Sequence, residues 1–223
     1  MTMQLFADLS QPASVDANQI PWLPSPLAGV DRRMLERDGN EVARATTIVR
    51  YAPNSFFSPH SHTGGEEYFV LEGVFSDESG DYPAGYYVRN PVGSSHQPFT
   101  KDGCRIYVKL RQMAAADQTY VTTNTLAETI LLMDGVATLS LHKFETEEVL
   151  LRELKPGQAY TELSATGLEI LVLAGTITVA SADPNDAQQT CAGEHWLRWP
   201  GSQSIHITAM GDGVRLLVKK NHL

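Results

Sequence analysis

A chain of 223 residues, 42% hydrophobic and 19% charged, has the length and apolar content for one large β domain or two small ones with a sizeable core. Its formal net charge of −9, from 17 basic and 26 acidic residues, has the wrong sign for a broad nucleic-acid surface or for an anionic membrane. The opening MTMQLFADLS has no basic cluster followed by an apolar stretch, and runs such as ILVLAG (170–175) are too short to span a bilayer, so the cytoplasm is the expected compartment.

Residues 1–24 read as an N-terminal arm. Pro12, Pro21 and Pro24, with Pro26 just beyond, disfavour a helix, and Trp22 between two prolines is placed to pin an aromatic onto a core. From there on, short runs rich in Val, Ile, Thr and aromatics alternate with Gly, Pro, Asp and Asn. Examples are ATTIVRYAPN (45–54), EYFVLEGVFSDESGDYPAG (67–85), YYVRNPVGS (86–94) and CRIYVKL (104–110). Such regular punctuation predicts an all-β barrel or sandwich. The alanine-rich QMAAADQ (112–118) is a turn or linker. Cys104 and Cys191 are far apart and outside any CxxC context, so both read as small apolar residues.

The sequence repeats itself at about a hundred residues. EEYFVLEGVFS (66–76) is echoed by LEILVLAGTIT (168–178), and YYVRNPVGSSH (86–96) by HWLRWPGSQSIH (195–206). Two copies of one β unit follow, at 25–112 and 126–223, joined by a linker at 113–125. Each is small enough that the two are expected to pack together.

The first copy carries the chemistry. In PHSHTGGEEYFVLEG (59–73), His60 and His62 are two apart, so in a strand both leave the same face; Glu66 follows four residues later. Gly64 and Gly65 let the backbone turn so that the carboxylate approaches the imidazoles. In GYYVRNPVGSSH (85–96), the Pro91–Gly93 turn delivers a new strand that carries His96. Three imidazoles and one carboxylate suit one borderline divalent ion such as Zn²⁺, Fe²⁺, Mn²⁺ or Ni²⁺. Glu67 and Glu72 read as rim or surface charges, Glu67 being an alternative ligand only after a one-residue slip. Arg50, Tyr51, Phe57, Tyr87, Gln97, Phe99 and Tyr107 are the candidate pocket-lining side chains.

The second copy has no such set. Leu168 falls opposite Glu66, and either Glu162 and Ser164 or Leu163 and Ala165 fall opposite His60 and His62. His206 is the one ligand type near the place of His96, so this unit reads as metal-free. His142, in TLSLHKF with leucines on the opposite face, is expected to face solvent. His195 and His222 have no partner visible in the sequence.

The spacing HxH, three residues, Glu, six residues, Gly, then Gly, five residues, Pro-x-Gly, two residues, His resembles the two motifs of the cupin superfamily, with every gap intact from His60 to Gly73 and from Gly85 to His96. The departure is Thr100, where the longer second motif has Asn. The resemblance implies two tandem cupin barrels of double-stranded β-helix (jelly-roll) type, with a metal on His60, His62, Glu66 and His96. Residues 72–96 are further similar to the cupin domain of ChrR-type zinc-binding anti-sigma factors, without their N-terminal HxxxCxxC sigma-binding domain. That implies a sensing or regulatory role in singlet-oxygen or oxidative stress, with a small ligand in the first barrel and a regulatory protein partner. The alternative it allows is a mononuclear metal dioxygenase or lyase acting on a small diketone or hydroxyketone. Monomer and homodimer are both compatible with two fused barrels.

Overall fold

The computed structural model describes residues 2–181 and 187–223, and they form strands and turns throughout; their one helical element is a short 3₁₀ turn, Ala17–Gln19. The chain divides into two compact units, residues 1–7 with 20–127 and residues 8–19 with 128–223. The N-terminal arm is therefore shared between the units. The linker segment is not bare either, since it contains the strand Val121–Asn124.

In the first unit the main sheet runs Gln4–Leu5, Val30–Gly39, Ala43–Tyr51, Cys104–Leu110, Glu66–Asp77, Tyr86–Asn90 and Val121–Asn124, each antiparallel to its neighbour. Cys104–Leu110 comes late in the chain yet lies between Ala43–Tyr51 and Glu66–Asp77. Such insertion of a late strand between earlier ones is what closes a Greek-key barrel. Its residues, CRIYVKL, are mostly β-branched, aromatic or aliphatic, as a strand paired on both sides requires.

A bulge sets which side chains reach the barrel interior. Glu72 pairs with Arg105 and Val70 with Ile106, leaving Leu71 without an opposite residue. One extra residue reverses the alternation of faces. Glu66, Tyr68 and Val70 point inward before the bulge, and Phe75 and Asp77 do so after it. Gly73 sits at the bend with φ +72°, and a Cβ there would come within 2.2 Å of the Gly103 carbonyl oxygen, so glycine is required. The interior is filled by Val30, Val49, Tyr68, Val70, Phe75, Tyr82, Val88, Cys104, Ile106 and Val108. Burial of each large member stabilises the barrel by about 1.5–3 kcal/mol.

The second unit repeats this order with Leu131–Met133, Val136–Phe144, Glu147–Leu154, Gln203–Lys220, Leu168–Ser181, His195–Trp199 and, as edge strand, Ala13–Asp16 of the arm. Leu168 pairs with Trp199 and Lys220 as Glu66 pairs with Asn90 and Leu110, so Leu168 does hold the place of Glu66. Its core is aliphatic, with Leu150, Leu154, Leu168, Ile170, Ile205, Ile207 and Val218 among its members.

Charges buried on the outward faces also repeat. In the first unit Glu67 lies in register with Arg89 and Lys109; in the second, Glu169 lies in register with Arg198 and Lys219. All six are at most 5% exposed. The expectation that Glu67 is a rim or surface charge is thus corrected. Arg89 donates to Glu67 at 2.6 Å and to Asp117 at 2.8 Å, which holds the segment after Leu110 against the sheet. Glu72, by contrast, is an exposed charge paired with Arg105.

Two further expectations need correction. His142 is buried rather than solvent-facing: a second bulge, at Leu141, sets it opposite Val149, which is itself fully buried. Trp22 is pinned, but not onto apolar core: the Arg33 and Arg50 guanidinium carbons lie 4.4 and 4.5 Å from its ring centroid.

Candidate metal centre

The two short strands His60–Ser61 and Ser95–His96 pair antiparallel, with His60 directly opposite His96. That register alone brings two imidazoles together, and their ring centroids are 5.0 Å apart. His62 follows in the loop, where the Pro91–Ser94 turn clamps its backbone. Its N–H donates to the Ser94 carbonyl at 2.8 Å, and the Gly93 N–H donates to its own carbonyl at 2.9 Å. The His62 ring lies 5.1 Å from that of His60 and 4.7 Å from that of His96. One ring nitrogen from each of the three falls within 4.8 Å of the others, and among the described residues this is the one histidine, cysteine and carboxylate cluster compact enough for an ion.

Glu66 reaches the same place from the sheet. Its Oε2 is 3.6 Å from His62 Nδ1 and 3.6 Å from His96 Nε2, and it accepts a hydrogen bond from Asn90 at 3.1 Å, the residue opposite it in register. The sequence-predicted residues His60, His62, Glu66 and His96 therefore converge. The double glycine before Glu66 has a different reason from the one expected. A Cβ on Gly64 would stand 2.7 Å from Arg111 Cα, and one on Gly65 would stand 2.4 Å from Met113 Sδ. Glycine permits the 111–113 segment to pass close by, with the Arg111 N–H donating to the Gly65 carbonyl.

The donors fit a metal. His62 Nε2 and His96 Nε2 are buried and have no hydrogen-bond partner, which is costly for an imidazole unless another species takes the lone pair. The opposite nitrogens of two rings are held: His96 Nδ1 lies 3.1 Å from Asp77 Oδ2, and His60 Nδ1 lies 3.1 Å from the Ser58 carbonyl oxygen. An Nδ1–H donated to an oxygen leaves Nε2 as the ligating atom. Burial lowers the His62 pKa, despite the opposing pull of Glu66, and so favours the neutral ligand form. For His96 burial acts in the same sense, but the hydrogen bond to Asp77 and the charges of Glu66 and Asp77 outweigh it and raise its pKa.

Sequence reasoning missed Asp77, which the bulge at Leu71 turns inward. Asp77 also accepts from Tyr82 at 3.0 Å and from the Ser79 N–H at 2.8 Å, so its carboxylate is fixed. Of the proposed lining residues, Tyr51 and Phe57 pack against the interior cluster, with ring centroids 5.2 Å apart. Tyr87 and Tyr107 are in register with Phe69 on the other face of the sheet. Arg50 pairs with Asp31 at the surface, Gln97 is exposed, and Phe99 stacks on the exposed Phe56.

The matching end of the second barrel is closed by an ion cluster. Glu162 accepts from Arg152 at 3.1 Å and lies 3.0 Å from Lys220, while Arg152 also donates to Thr138. His206 is exposed, outside that interior. His195 bonds Ser14 at 2.8 Å, and His222 lies 3.3 Å from Glu169.

Residues 10–114 match the family model described as a ChrR cupin-like domain. No curated protein matches the sequence. Among solved structures, the chain is similar to YlbA from E. coli at 11% identity and TM-score 0.74, covering 98% of this chain and 94% of that one. A cupin 2 conserved barrel domain protein from Leptotrichia buccalis gives 11% identity and TM-score 0.64 over 98% and 99% of the two chains. A mutant of Bacillus subtilis oxalate decarboxylase OxdC gives 12% identity and TM-score 0.65, over 95% of this chain and 78% of that one. No helix among the described residues is long and apolar enough to cross a membrane.

Proposed function

From a chain of two tandem cupin barrels, the first of them a ChrR-like cupin domain, we propose a metal-dependent sensor: His60, His62, Glu66 and His96 hold one divalent ion, and the first barrel reports a small ligand or an oxidant to a regulatory protein partner. The observation that carries this reading is the gathering of the His60, His62 and His96 rings about one point, with a buried, unpartnered Nε2 on each of His62 and His96. The bound ion would supply Lewis acidity and open coordination positions. The protein supplies the rest: Asp77 and the Ser58 carbonyl fix the ring tautomers, Asn90 orients Glu66, and an aromatic and aliphatic interior limits water.

Zinc best suits the donor set together with a regulatory task, and the second barrel is metal-free in this reading, its ion cluster serving stability. The protein purified without added metal, then treated with singlet oxygen or peroxide, tests the sensing role. A change in metal occupancy or in protease sensitivity is expected. An unchanged metal content and conformation would remove the support for sensing, and turnover of a small diketone with oxygen uptake would reassign the site to catalysis.

A further inference from the structure

One buried polar group in the first barrel has no task in the metal shell. Tyr68 is fully buried, and its hydroxyl has no hydrogen-bond partner. It lies two residues from Glu66 on the same inward face of the strand. Its ring is 5.1 Å from Phe75, and Phe75 is 6.2 Å from His96. The neighbouring Tyr82 shows what a satisfied phenol looks like here, since its hydroxyl donates to Asp77. A phenol is kept in a barrel interior, in place of phenylalanine, where something accepts its hydrogen bond.

We propose that Tyr68 is the hydrogen-bond donor that positions an exogenous ligand on the metal, and that the ligand class is a small carboxylate-type oxygen anion. This rests on the metal reading above. One oxygen of such a ligand would bind the ion and the other would accept from the phenol. A ligand that binds through nitrogen and has no acceptor left, such as imidazole, gains nothing from Tyr68.

The test uses the full chain loaded with cobalt(II), whose visible spectrum reports exogenous ligands without any turnover. Acetate and imidazole are each titrated into the parent and into Tyr68→Phe. Acetate is expected to bind the variant about tenfold or more weakly, the scale of one hydrogen bond to a charged acceptor, with imidazole affinity and cobalt content unchanged. Equal acetate affinity in the two proteins, equal loss for both ligands, or no acetate binding to the cobalt-loaded parent would overturn the role of Tyr68 alone. Failure of the parent to take up cobalt would overturn the metal reading and this inference together.

Discussion

Asp77 Oδ2 stands 3.1 Å from Nδ1 of His96 inside the first barrel, with the Tyr82 hydroxyl and the Ser79 N–H on the other oxygen. The carboxylate thereby fixes which nitrogen of His96 faces the cluster. Asp77→Leu is expected to weaken metal binding by about 10–100-fold without unfolding the barrel. Competition with a chromophoric chelator measures this directly. Unchanged affinity would mean that His96 is oriented by packing alone.

The pair Glu67–Arg89 is buried and closed by Asp117, and removing Arg89 takes the guanidinium from two buried carboxylates at once. Arg89→Ala should cost about 3–5 kcal/mol. For a chain of this size that lowers the thermal midpoint on the order of 10 °C. Calorimetry checks it; a shift within a degree or two would show that solvent reaches the pair.

Acid should loosen the same contact. Burial pushes the Asp117 carboxyl up, but the Thr119 N–H and the Arg89 charge more than offset it, so its folded pKa lies below the ordinary 3.8. The stability this contributes is present above that value and is lost as pH falls through the folded one. Urea midpoints of the parent and Asp117→Asn should therefore differ near neutral pH and converge as pH falls below the ordinary carboxylate range. A gap that stays constant with pH would assign the effect to shape rather than charge.

Neither thiol is poised for redox chemistry. Burial pushes Cys104 and Cys191 up to about 11. At pH 8 only about one thiol in a thousand would be ionised. Ellman's reagent should leave both unlabelled in the native protein and label both after denaturation. Rapid native labelling would open a cysteine route for oxidant sensing that the metal reading does without.

The cluster of His60, His62, Glu66 and His96 was legible because its spacing is local: an HxH step, a turn and a hairpin are written within short stretches. The strands could be read for the same reason, from alternation and turn residues. Single-residue bulges were not legible. Leu71 turns Asp77 inward and Leu141 sets His142 opposite the buried Val149, and both depend on strand pairing. The burial of Glu67 likewise depends on Arg89 and Asp117, whose side chains meet it only once the sheet has formed. Tyr68 looked like an ordinary strand aromatic, because nothing in a sequence says that its hydroxyl lacks a partner.

Elemental analysis of protein expressed without added metal, set beside His96→Ala, probes the central claim most directly. His96 lies on a short two-stranded pair outside the main sheet, so the variant should remain folded, which circular dichroism checks. Occupancy near one divalent ion per chain in the parent, falling several-fold in the variant, is the predicted result. Full occupancy in His96→Ala, or a parent that stays empty after reconstitution, would contradict it.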